Sequence, residues 1–141
     1  MRAPSVAIGL LALLASVAAA AAQPALQCRA TQNPSLVAEL LFGRNIGGRL
    51  GVSGAAWRRF LDREITPRFP AGLTVIDARG QWRGPARNTI VREPSKMVMI
   101  ALPGEADDDD RLKAIVAAYK KQFSQDSVAV MVRPACVTFK Y

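Results

Sequence analysis

A proline sits inside the last apolar run of this chain, and no other residue constrains the fold as much. From Ser127 to Phe139 the apolar side chains alternate, with Val128, Val130 and Val132 on one face and Ala129 and Met131 on the other. That period of two reads as a strand. Pro134 lies within it and has no N–H to give to a ladder, so this strand belongs at the edge of a sheet.

The remaining elements follow from the same patterning. Leu36 to Phe42 is a strand that is apolar on both faces except at Glu39. After a Gly- and Arg-containing loop (residues 43–51), Ser53 caps a helix running to Thr66, with Trp57, Phe60, Leu61 and Ile65 on one face. Pro67 ends it. Leu73 to Trp82 reads as a second strand and Lys96 to Leu102 as a third. Together they form a long hairpin that turns through residues 83–88 and is broken near Pro94. A second helix carries Leu112, Ile115, Val116, Tyr119 and Phe123 on its apolar face. Asp107 to Asp110 at its start and Lys120 and Lys121 at its end suit the helix dipole. The four aspartates lack the alternation and the glycine of a calcium loop, so no metal site is read there.

The order β-α-β-β-α-β predicts an α+β, ferredoxin-like sandwich: a four-stranded antiparallel-type sheet with two helices on one face. In that arrangement the last strand is an edge antiparallel to the first, as Pro134 requires. The pairing brings Cys136 beside Cys28, and a disulfide between them closes a loop of roughly a hundred residues, worth about 4–5 kcal/mol in the chain-entropy account. The helices cover one sheet face only. Val37, Leu41, Met97 and Met99 are left on the other, and a second copy of the chain is the simplest cover. A homodimer is therefore expected, with Met97, Met99 and Met131 at its interface.

The first 22 residues read as a secretory signal peptide. Arg2 lies in a short n-region, the stretch Val6–Ala22 is unbroken and apolar, and Ala20-Ala21-Ala22 supplies the small residues that cleavage needs. The apolar stretch is short for a membrane span of roughly 20 residues. Gln27 before Cys28 argues against lipidation. Residues 23–35 form a flexible lead-in carrying Cys28, and residues 36–141 a single domain. The expected location is periplasmic or secreted, where an even pair of cysteines is oxidised. No second run is long enough to span a membrane.

The formal charge of +8 is unevenly placed. Between Arg44 and Lys96 there are 11 basic residues against four acids, Asp62, Glu64, Asp77 and Glu93. Such a field fits an anionic partner, a small molecule or an envelope polymer, although arginine content alone can also produce it. Nucleic acid is not an expected partner: the third strand lacks the stacking aromatics of an RNA-recognition sheet.

The segment Thr66-Pro67-Arg68-Phe69-Pro70-Ala71-Gly72-Leu73-Thr74-Val75-Ile76-Asp77, with Gly80-Gln81-Trp82 and Arg92-Glu93-Pro94-Ser95-Lys96, resembles a family of small bacterial exported proteins, domain-of-unknown-function family 3574. Glu39-Leu40-Leu41-Phe42-Gly43, Trp57, Phe60-Leu61, Ala118-Tyr119-Lys120, Phe123 and Ser127-Val128 are similar too. The resemblance covers nearly all of residues 38–139 and implies no activity.

The chain has no histidine, which removes imidazole catalysis and the usual zinc and haem ligands. Gly47-Gly48-Arg49-Leu50-Gly51 lacks phosphate-loop spacing, and no cofactor is read. The catalytic candidates are Glu39 and Glu93. Strands 1 and 3 are read as parallel neighbours, which makes Lys96 the counter-ion of Glu39. The ligand-binding candidates are Arg68, Trp82, Arg83, Arg92 and Lys96, expected to gather around the hairpin with Arg87 and with Trp82 as a stacking face. Three functional classes follow. The first is a non-catalytic module for an anionic ligand. The others are a small acid–base enzyme or lyase at the sheet or dimer cavity, and a structural or interaction protein.

Overall fold

The computed structural model describes residues 26–83 and 89–140. The expected signal peptide, the start of the lead-in and Arg87 lie outside them. The elements are β1 (Asn33–Gly43), a short hairpin β2 (Asn45–Ile46) and β3 (Arg49–Leu50), α1 (Gly54–Phe60), β4 (Thr74–Arg83), β5 (Ile90–Ala101), α2 (Asp108–Phe123) and β6 (Ala129–Val137). The main sheet has the order β4-β5-β1-β6, with every neighbouring pair antiparallel. This is the ferredoxin-like architecture, and β6 with its Pro134 is an edge.

The register shows why the edge accepts a proline. The N–H of Leu102 donates to the carbonyl of Leu36, so the main-chain groups of Leu36 face β5 and not β6. Pro134 is opposite Leu36. Its missing N–H therefore falls on the free edge, where no ladder bond is lost. At the same end of the sheet Cys28 and Cys136 form a disulfide across 108 residues.

Ser53 caps α1 by accepting from the N–H of Ala56 at 3.1 Å. The expected single helix widens after Phe60 into a π-helical turn, Leu61–Ile65, closed by the Thr66 N–H on the Leu61 carbonyl. Phe60 and Ile65 are both buried by it. At the start of α2 the Asp108 carboxylate accepts from the N–H groups of Gly104 and Glu105, binding the preceding turn to the helix. Asp107 and Asp109 form ion pairs with Arg111 and Lys113 one turn on, so these aspartates serve the helix itself.

Both helices pack on the sheet face that carries Ala38, Leu40, Phe42, Val98 and Ile100. Phe42 is at the centre of the core, its ring 5.2 Å from Trp57 and 4.7 Å from Tyr119. The buried Tyr119 hydroxyl donates to the Gly43 carbonyl at 2.7 Å, fastening α2 to the end of β1.

Two expectations are corrected. β1 and β5 are antiparallel, because the chain reverses once more between them than a parallel pair allows. Nor does Pro94 break the hairpin: β5 runs through it, with Pro94 opposite Arg79. Even-numbered residues of β5 turn their main-chain groups toward β1, and β1 pairing stops at Gly43–Ser95. No donor is needed at position 94. Only the Pro94 carbonyl is used, by the N–H of Arg44.

Candidate functional site

Beyond Ser95 the sheet narrows to two strands. Apart from the bond between Arg44 and Pro94, residues 79–83 of β4 and 90–94 of β5 pair with each other alone, and they form an arm that extends past the end of β1. Side chains alternate along it, so adjacent residues point to opposite faces. This separates the expected site into two. Trp82 and Glu93 share the face opposite the helices with Gly80 and Ser95. Arg79, Arg83 and Arg92 share the other face, which continues back to Lys96 and Asp77. Trp82 therefore does not stack over the arginine cluster.

On the first face, Glu93 has both carboxylate oxygens engaged. Oε1 accepts from the Trp82 indole N–H at 3.1 Å and Oε2 from the N–H of Asn45 at 3.0 Å. Two glycines make this possible. A Cβ on Gly43 would come within 2.7 Å of the Glu93 carboxylate, and one on Gly80 within 2.7 Å of the Ser95 hydroxyl. Asn45 opens the β2–β3 hairpin, so Glu93 joins three pieces of chain: the arm, the end of β1 and that hairpin. Neither glycine's part in this was read from the sequence. The only signal was their position in otherwise strand-like runs.

On the second face, the register places Arg79 opposite Pro94, Arg92 opposite Gln81 and Arg83 opposite Ile90. All three arginines are exposed. Among the described residues none of them forms an ion pair with a carboxylate, whereas Lys96, further back, is paired with Asp77. The ammonium of Lys96 holds the Asp77 carboxyl below the ordinary carboxylate range, first through its hydrogen bond and then through its charge. Arg44 is beside this face, but its Nε donates to the Val52 carbonyl at 2.9 Å. Arg79 was not among the sequence candidates. It becomes one once the strand is known to continue unbroken to Arg83.

The other candidates lie elsewhere. Arg68 bonds within its own helix end, to the Glu64 carbonyl at 2.6 Å and the Glu64 carboxylate at 3.0 Å. It precedes the start of β4, and Arg83 is nine strand residues beyond that start, roughly 30 Å at about 3.3 Å per residue. Glu39 lies between Met99 and Met131 on the face away from the helices. Its partner is Arg133, at 2.8 Å, and not Lys96, which points to the helix side. Two open hollows among the described residues, about 350 and 590 Å³, lie against α2 and near Pro134. Neither is lined by any of these residues.

The face away from the helices carries Ile76, Leu41, Met97, Met99 and Met131, and Ile76 and Met131 are 41% and 45% exposed. No helix among the described residues is long and apolar enough to cross a membrane.

The family described as "Protein of unknown function (DUF3574)" matches residues 37–139. No curated protein matches the chain. Among solved structures, a phage SAM lyase in complex with S-methyl-5'-thioadenosine is similar, at 16% identity and a TM-score of 0.59. The match covers 83% of this chain and 97% of that one. A phage SAM lyase in its apo state gives 18% identity and a TM-score of 0.55, over 83% and 98% of the two chains. CutA from Synechococcus elongatus PCC7942 gives 10% identity and a TM-score of 0.49, over 74% and 80%. At these identities the likeness is one of fold.

Proposed function

This chain belongs to the DUF3574 family of proteins of unknown function, and from that premise we propose a non-catalytic module that binds an anionic ligand on the arginine face of the β4–β5 arm. The observation that carries this reading is the grouping of Arg79, Arg83 and Arg92 on one exposed face without a carboxylate partner among the described residues. Side-chain guanidinium groups left unneutralised in such proximity raise the local potential and concentrate anions. The reading includes export by the N-terminal segment. A disulfide between Cys28 and Cys136 supports it, since such bonds persist in oxidising compartments. It also includes a homodimer formed through the apolar sheet face, whose side chains gain most from being covered.

The test is salt-sensitive retention on an anionic matrix. R83A/R92A should lose it, while R58A/R63A, with the same net charge but altered on α1 and the π-helical turn, should keep it. Equal loss in both variants would make the charge compositional and end the proposal.

A second reading has one observation in its favour. Trp82 and Glu93 pair an indole with a carboxylate, a combination suited to a cationic group, and a phage SAM lyase carries the same fold. Incubation with S-adenosylmethionine followed by mass spectrometry for S-methyl-5'-thioadenosine tests it directly. Against it, both Glu93 oxygens are committed to holding the arm.

A further inference from the structure

The three arginines form a row, and a row selects a different ligand from a pocket. Arg79 and Arg83 are on β4 and Arg92 is between them on β5, diagonal to each. Diagonal neighbours across antiparallel strands are about 7–8 Å apart. Arg79 and Arg83 are four residues apart on one strand, about 13 Å. A compact anion needs donors that converge on one point, whereas these three are set out along about 13 Å of the arm. The positions facing them, Pro94, Gln81 and Ile90, carry no charge that could neutralise the row.

Resting on the anion-binding reading, we infer that the ligand is a linear polyanion with charges repeating at about 7 Å, and specifically a phosphodiester-linked polyol, since Pro94, Gln81 and Ile90 on this face offer no aromatic ring on which nucleic-acid bases could stack. The repeat has a simple origin. Alternate residues of an extended chain are separated by six backbone bonds, about 7 Å. A polymer with three carbons between phosphodiesters also has six bonds per charge, so its phosphates keep step with alternate positions of the arm. The guanidinium fork matches the phosphate oxygens in pairs, which favours phosphate over a point-charge interaction.

The experiment is calorimetric titration of the full mature chain with orthophosphate and with glycerol-phosphate oligomers of one, three and six units, over a range of salt. Affinity should rise at least tenfold from one unit to three and then level off. With about −0.7 in log K per log salt for each contact, three contacts give a slope near −2, and R92A a slope near −1.4. Should R92A fail to fold by circular dichroism, R83Q at the end of the arm makes the same measurement. Orthophosphate binding as tightly as the trimer would overturn the row while leaving the anion-binding reading intact. A carboxylate polymer with the same repeat and a single-stranded oligonucleotide are titrated in the same way, and equal binding of either would overturn the assignment to a polyol phosphate. Absence of salt-sensitive binding to every probe would remove both readings.

Discussion

The indole N–H of Trp82 donates to Glu93 across the arm, and Arg92, one residue before Glu93, points through to the opposite face. One face of the arm is therefore braced, and the other carries the three arginines. A two-stranded ribbon alone is marginally stable in water. The Glu93 carboxylate compensates by tying the ribbon to the N–H of Asn45.

The brace depends on Gly43. Gly43→Ala should push the Glu93 carboxylate aside and cost about 1.5–3 kcal/mol, the range for hydrogen bonds to a charged group. The same change in an E93A background should cost clearly less. Urea unfolding of the four members of the cycle measures the coupling. Additive effects would mean that the glycine is needed for another reason.

Cys28→Ser with Cys136→Ser should lower stability by about 4–5 kcal/mol, because the unfolded chain regains the freedom of a 108-residue loop. Denaturant midpoints of the variant and of the oxidised protein give this difference. Intact mass of exported material should show a chain starting near Gln23 and lighter by two hydrogens than its reduced form.

Stability should decline in alkali. Burial, more than any neighbouring charge, holds the Tyr119 phenol above its ordinary value of about 10. The folded chain keeps a proton that the unfolded chain releases, so this contribution is complete below about pH 10 and is lost progressively above it. Y119F should lose about 1 kcal/mol at neutral pH with its bond to Gly43, yet show a flatter alkaline limb in thermal melts.

Light scattering at micromolar concentration should give the mass of a dimer. Met97→Arg places a charge on the apolar sheet face and should yield a monomer with an unchanged far-ultraviolet spectrum. A wild-type monomer at high concentration would refute this assembly.

Much of the fold was legible because single residues constrain topology. Pro134 demanded an edge, and the cysteine pair agreed with the antiparallel closure. The candidate site was legible in composition but not in arrangement. Trp82 and Arg83 are adjacent and must face opposite ways on a strand, but this holds only if β5 continues through Pro94. That in turn depends on where β1 ends. The partner of Glu39 depended on strand direction, a relation between distant segments that local patterning does not carry. The work of Gly43 and Gly80 is set by a carboxylate and a hydroxyl that meet them only in three dimensions.

The disulfide also fixes how the domain responds to force. Asn33 pairs with Val137, so both ends of the described chain leave from one end of the sheet, while the arm extends from the other. A pull applied between the termini passes through the Cys28–Cys136 bond and bypasses the chain between them. The strands bear little of that tension. A chain held at either terminus would present its arginines at the far end, on a support that stretches only after chemical reduction.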